Sequence, residues 1–362
     1  MVNTELFKDP AIANKLSRQI RHYIRGPLRL MEVCGTHTVA IFRSGIRSLL
    51  PEEITLLSGP GCPVCVTAVE DIDRAIAIAG HPDVILATFG DMMRVPGSTS
   101  SLNEEKAKGR DIRVVYSPMD CLKIARENTD KKVVFFATGF ETTSPSVAAT
   151  TIESLGLKNF YIFSVHKLVP PALTALLSAS DVRVDGLILP GHVSTILGIR
   201  PYEFIASRYQ MPAVISGFEP VDILQAIYML VLQINRKRPK VEIQYSRVVY
   251  PDGNPKAIRL IDMVFKPVDT NWRGIGVIPE SGLKFKDEFS SIDAEKNFDI
   301  DIPLSKEPKG CSCGDVLRGV KIPTDCPLFA KACTPEHPIG ACMVSTEGSC
   351  AAYYKYSGTD IG

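Results

Sequence analysis

Ten cysteines in 362 residues, and the way they are spaced, carry the chemistry this sequence can do. Six of them, Cys311, Cys313, Cys326, Cys333, Cys342 and Cys350, form a Cys-x-Cys followed by gaps of twelve, six, eight and seven residues. Structural zinc sites usually present two closely spaced Cys or His pairs, and this segment has none. Four thiolates spread over a proline-containing, loop-forming stretch suit a [4Fe–4S] cube, with zinc and plain thiols as the alternatives. Pro327 and Pro335 stiffen the loops that present Cys326 and Cys333. Six cysteines exceed the four that a cube needs, and Cys311 and Cys342 are the expected spares, able to pair with each other.

A second group lies near the start. In an α/β context, Cys62-Pro63-Val64-Cys65 reads as a thiol–disulfide redox or metal-transfer motif. Thr67 and Glu70 have the spacing of a capping box, which would set Cys65 near a helix N-terminus and lower its pKa. Cys34 follows the apolar run Leu28–Val33 and precedes a helix expected to be capped by Thr36 or Thr38, so its thiol should be activated in the same way. His37 is close enough to orient Cys34 or share a metal ion, and a purely structural role is the alternative. Cys121, alone at an expected helix start, reads as an inert thiol.

These residues need a scaffold, and the sequence describes one. From residue 28 to about 236, apolar runs end in Gly-rich or polar tips and give way to helical patterns. The runs are Leu28–Val33, Ile54–Leu57, Val84–Thr88, Ile112–Tyr116, Val133–Ala137, Phe160–Phe163, Leu187–Leu189 and Ala213–Ile215. Such alternation predicts βα units, and nearly all-apolar strands predict parallel sheet covered on both faces. The tips hold Cys34, His37, Cys62, Glu141, His166, His192 and Glu219, at the strand ends where α/β sheets bind ligands. Thr138-Gly139-Phe140-Glu141 echoes Ser216-Gly217-Phe218-Glu219. The echo predicts two similar α/β lobes, at 1–140 and 141–240, with a single β/α barrel as the alternative. A connecting α+β segment at 241–300 follows, with strands at Val241–Val249 and Ile275–Ile278 and a helix near Lys256–Phe265. The cysteine-rich domain occupies 301–362.

Composition narrows the function classes. Hydrophobic residues make up 45% and the formal net charge is +1, so a sizeable core is expected and nothing favours nucleic acid or an anionic membrane surface. The basic run Arg236–Lys240 reads as a helix C-terminus. No apolar run approaches the ~18 residues of a membrane span. No charged-then-apolar leader is seen, so a cytoplasmic setting is expected, where many cysteines serve metals or redox work rather than a disulfide framework.

Together the motifs resemble the hydrogenase maturation family HypD. The matching stretches are Met31-Glu32-Val33-Cys34-Gly35-Thr36-His37-Thr38, Gly59-Pro60-Gly61-Cys62-Pro63-Val64-Cys65, the run Thr88–Gly97, Gly139-Phe140-Glu141-Thr142-Thr143, Pro190-Gly191-His192-Val193-Ser194, Gly217-Phe218-Glu219-Pro220, and the tail from Cys313-Gly314 to Gly348–Tyr354. They run in order over nearly the whole chain. The resemblance implies two α/β lobes with a C-terminal cluster domain. It implies a scaffold role in building the Fe(CN)2CO unit of [NiFe]-hydrogenase, with HypC sharing the iron and the HypE–HypF pair supplying cyanide. The hydrogenase large subunit would be reached indirectly. By the same resemblance Cys34 holds Fe(II), Cys62 and Cys65 are nearby essential thiols, and Cys313, Cys326, Cys333 and Cys350 hold the [4Fe–4S] cluster. In that mechanism Glu141, His166, His192 and Glu219 line the cleft and manage protons, with loop-stabilising hydrogen bonds as the plainer reading of each. Two other classes stand beside this one: a free-standing iron–sulfur thiol–disulfide oxidoreductase, and an interaction scaffold with a structural cluster.

Overall fold

Short apolar runs that end in glycine or polar tips become parallel strands here, because each strand is covered by helices on both faces. The computed structural model describes residues 4–356. Its strands are β1 Leu28–Glu32, β2 Ile54–Ser58, β3 Val84–Thr88, β4 Ile112–Val114, β5 Lys132–Ala137, β6 Phe160–Ser164, β7 Gly186–Pro190, β8 Ala213–Ser216, β9 Val241–Ile243, β10 Phe265–Trp272 and β11 Gly276–Phe285. They form a five-stranded sheet in the order β2-β1-β7-β8-β9, a four-stranded sheet in the order β4-β3-β5-β6, and the hairpin β10-β11. Both larger sheets are wholly parallel. Among the described residues no helix is long and apolar enough to cross a membrane.

The two parallel sheets share one doubly-wound plan. In each, the second strand lies outside the first and the third returns to the first strand's other side. The two echoed Gly-Phe-Glu tips fall one in each sheet, after β5 and after β8. The lobes are therefore alike, but they are not consecutive in the chain. β1 pairs with β7, and β7 with β8, so the four-stranded sheet is inserted in the chain between β2 and β7 of the five-stranded one. A division at 140/141 would separate β5 from its partner β6 and does not follow the sheets. Nor do the strands close into a barrel: they make two separate open sheets.

The region after residue 240 also differs from expectation. β9 stops at Ile243 because Gln244 turns inward, accepting from Gly217 N–H (3.0 Å) and donating to Asp222 (2.9 Å). The helix Pro255–Val264 and the hairpin follow, and the hairpin bridges to the lobes at Thr67↔Trp272 and Lys167↔Gly282. The cysteine-rich tail is not a separate bead. Cys313, Leu317, Cys342, Met343 and Cys350 belong to one continuous core with Met31, Leu57, Cys65 and Val66. Close glycine packing holds it there: a Cβ on Gly314 would lie 1.9 Å from Gly274 O, and one on Gly319 would lie 2.5 Å from Met31 Cε. The basic run does end a helix, Pro220–Arg236, with Lys237 in the left-handed region at φ 51°.

Candidate functional site

Cys34 stands where the order of the five-stranded sheet reverses, between β1 and β7, the position at which open α/β sheets bind ligands. It is the N-cap of the helix Gly35–Arg43, in extended backbone. Two glycines let neighbouring chain close around it. A Cβ on Gly61 would lie 2.3 Å from Cys34 N, and one on Gly35 would lie 2.3 Å from Glu347 O. The first contact sets the tips of β1 and β2 side by side, with Gly35 N–H donating to Gly61 O at 3.1 Å, and so places Cys62 beside Cys34. The second brings the tail over the same point. Glu347 accepts from the Thr36 hydroxyl at 2.6 Å.

This cover reverses the expected electrostatics of Cys34. Burial, and then the Glu347 carboxylate, push its thiol up to about 11 despite the opposing Thr36 and His37 backbone N–H groups. The helix N-terminus therefore does not prevail: desolvation outweighs it. Behind the site, the buried Glu32 is lifted to about 7 by burial and accepts from the Thr38 and Ser58 hydroxyls.

Cys62 caps the short helix Pro63–Val66, its Sγ accepting from Cys65 N–H at 3.3 Å. It lines a cleft of about 450 Å³ with Phe89, Gly90, Thr138, Thr143 and Glu347. That cleft also takes in the reversal point of the second sheet, between β3 and β5. Cys65 points the other way. It is fully buried, and burial lifts its thiol well above the ordinary value, contrary to the expected activation. The capping box is also absent: the next helix, Val69–Ala79, is capped at Ala68, and Thr67 instead donates to Pro63 O at 2.8 Å.

Inside the protein, Cys65 meets the tail. Its thiol lies close enough to those of Cys62 and Cys342 for each to shift the other's titration, and Cys342 stands in the same relation to Cys313 and Cys350. Cys342, expected to be a spare, lies between the two cysteine groups. All ten cysteines are free thiols here.

Beyond Cys342, five cysteines (311, 313, 326, 333 and 350) line one small cavity with Leu328, Phe329 and Met343. Gly340 forms its wall, where a Cβ would lie 2.6 Å from Cys313 Sγ and 2.8 Å from Cys311 Sγ. Ile339 N–H donates to Cys333 Sγ at 3.3 Å. An apolar cavity edged by sulfurs and an amide donor fits the four thiolates and N–H···S contacts of an iron–sulfur cube. Among the described residues no three Cys, His, Asp or Glu side chains gather at a single-ion site. The sulfurs line the walls of a space instead of meeting at a point.

The other expected site residues fall in different places. His37 is buried, its Nε2 against Gly217 O at 2.9 Å and its ring stacked on Phe218 at 4.5 Å. Burial lowers it to about 4, so the ring is neutral, with Nδ1 unpartnered. His192 stacks on the other face of Phe218 at 4.0 Å and remains exposed. Glu141 is buried, lifted to about 7 by burial, and accepts from Val169 N–H at 2.9 Å. His166 lies beneath the hairpin, hydrogen-bonded to Ser164 at 3.0 Å. Burial lowers it to about 3. Glu219 caps the helix Pro220–Arg236 and faces Lys8 at 3.9 Å. Of this group, His37 and His192 share the surroundings of Cys34, through Phe218 and Glu347. Cys121 is buried and pushed up to about 12, chiefly by burial. Sequence reading missed Glu347, Phe218, Gly340 and the place of Cys342 between the two cysteine groups. The Gly-Phe-Glu echo was the available signal for Phe218; Glu347 had none, since its partner Thr36 is 311 residues away.

Residues 11–357 match the family described as "HypD: Hydrogenase formation hypA family". The chain is 48% identical over 363 residues to the hydrogenase maturation factor HypD2 of Bradyrhizobium diazoefficiens, covering 97% of this chain and 95% of that one. It is 46% identical to the hydrogenase maturation factor HypD of Cupriavidus necator over 364 residues, covering 97% and 96%. The HypD of Rhodobacter capsulatus is likewise 46% identical over 366 residues, with 97% of each chain covered. An α/β scaffold with paired thiols at its strand tips, a cysteine-lined tail and full-length similarity to these relatives make the chain a member of the HypD family of hydrogenase maturation factors.

Proposed function

We propose that this maturation factor is the scaffold on which the Fe(CN)2CO unit is assembled, and that its thiols carry the electrons assembly requires. The observation that supports this most is the line of thiols from the cysteine-lined cavity through Cys342 and Cys65 to Cys62, which ends beside Cys34. Iron is the cargo. Cys34 holds it as Fe(II) jointly with HypC, since soft thiolate suits iron that carries strong-field ligands. Cyanide arrives as a thiocyanate on HypE, loaded with HypF. Release breaks the S–C bond: RSCN and two Cys–SH groups give RSH, cyanide, a proton and the Cys62–Cys65 disulfide. The dithiol thus supplies both electrons and both protons.

A [4Fe–4S] cluster held in the tail cavity would pass on, one at a time, the two electrons of an external one-electron donor that restore the dithiol. Cys313, Cys326, Cys333 and Cys350 are its ligands in this reading, and Cys311 competes with Cys313 for the fourth place. Cys342 would relay by exchange: its thiol attacks Cys65 Sγ and releases Cys62 as a thiol, and two electrons and two protons then open the Cys342–Cys65 disulfide. His37 and His192, sandwiching Phe218, shape the wall around the iron. A free-standing thiol–disulfide oxidoreductase would have no use for a further thiol beneath Glu347.

Anaerobic co-purification with HypC tests the reading. The wild-type complex should contain iron and sulfide and show CN and CO infrared bands. Cys34→Ala should keep the cluster spectrum and lose the bands. A variant that retains the bands would rule out Cys34 as the iron ligand.

A further inference from the structure

Arg273 is 1% exposed, at the turn between β10 and β11, and no carboxylate pairs with it among the described residues. Its Nη2 donates to Pro96 O and its backbone N–H to Val66 O, at the last residue of the helix that carries Cys65. Its Nε and Nη1 have no hydrogen-bond partner. Glu307 reaches the adjacent Gly274, accepting from its N–H at 3.2 Å, without forming an ion pair with Arg273. A buried, unpaired guanidinium is costly, so its persistence calls for an anion.

The cysteine-lined cavity is where that anion would be. Gly274 packs on Gly314, next to Cys313, so the backbone at Arg273 abuts the segment that carries Cys311 and Cys313. The tail's own nearby cations are already engaged: Arg318 with Asp181 and Asp315, and Lys321 with Asp315. Arg273 is left with its charge uncompensated.

We propose that Arg273 is the built-in counter-cation of the cysteine-lined cavity, offering its free N–H groups and its charge to the sulfurs around a bound iron–sulfur cluster. The inference rests on the cluster reading above. A cluster with four thiolate ligands is anionic and gains a further negative charge on reduction, so a buried cation beside it favours the reduced form and raises its potential. Arginine suits the position because its planar fork can donate to more than one sulfur while another arm holds Pro96. The same residue ties the hairpin to the Cys65 segment and the tail.

The test uses the full chain purified anaerobically. Iron and sulfide in the wild type establish the cluster, and their absence would fail the cluster reading and this inference with it. With the cluster present, Arg273→Met is titrated redox-optically against wild type and Arg273→Lys. At the potential where the wild-type cluster is half reduced, the reduced-to-oxidised ratio of Arg273→Met should fall about tenfold, and Arg273→Lys should lie between. An unchanged titration in Arg273→Met overturns the inference while leaving the cluster reading intact. If Arg273→Met does not fold, the wild type decides. Protein labelled with guanidino-¹⁵N arginine should show ¹⁵N hyperfine coupling in pulsed EPR of the reduced cluster, and its absence counts against Arg273.

Discussion

The Thr36 hydroxyl donates to the Glu347 carboxylate over 2.6 Å and joins the helix behind Cys34 to a tail residue 311 positions away. Glu347 lies between Cys342 and Cys350, so the segment that carries two tail thiols also closes over Cys34. The state of the tail and the chemistry at Cys34 are mechanically joined through this contact.

Cys34 should accordingly be a poor nucleophile in the isolated protein. Its thiolate forms near pH 11 against an ordinary 9.0. At pH 8 that leaves about 100-fold less thiolate than a free thiol has, and alkylation mapped by mass spectrometry should be at least that much slower. Glu347→Gln removes an anion and should move the alkylation midpoint down, though not to the ordinary value, because burial is the larger cause. A wild-type Cys34 that reacts like a free thiol would contradict this.

Gly340→Ala should damage the cysteine cavity without touching a sulfur ligand. The added methyl would lie within 2.8 Å of two sulfurs, so iron and sulfide content should fall severalfold while far-ultraviolet circular dichroism is kept. Cys326→Ala and Cys333→Ala should lose the brown chromophore altogether. Full iron content in the Gly340 variant would mean that the cavity wall is not part of the site.

Cys342→Ser should keep the cluster and break the relay. The Cys62–Cys65 disulfide should still form, since Cys65 N–H already reaches Cys62 Sγ, but its reduction by the reduced cluster should slow by an order of magnitude or more. Thiol counting after rapid quench reads this directly. Undiminished reduction would show that electrons reach Cys65 without Cys342.

Acid should destabilise the protein partly through His166. Its pKa falls from 6.5 unfolded to about 3 folded, so its contribution is full above pH 6.5 and is lost progressively as pH falls from there through about 3. Glu141, raised from 4.5 to about 7, works in the opposite sense: its contribution is present below pH 4.5 and is lost as pH rises through 7. His166→Asn should remove on the order of 1–2 kcal/mol of the stability difference between pH 7 and pH 5, measured by urea unfolding. An identical pH profile in the variant would exclude His166 as a source of acid lability.

The sequence by itself determined the parts that depend on neighbours along the chain. Apolar runs and their glycine tips located β1 to β8 within a residue or two, because strand burial on both faces is written into each run. The Gly-Phe-Glu echo announced two lobes, and the cysteine spacing separated a strand-tip group from a tail group. Tertiary structure alone decided what crosses the chain. Pairing of β1 with β7 nests one lobe inside the other, a choice that no local pattern encodes. Burial reversed the expected activation of Cys34 and Cys65, because desolvation depends on what covers a thiol, and the cover comes from residues near 342 to 350. The same folding set Cys342 between the two cysteine groups and left Arg273 buried with two nitrogens unpartnered.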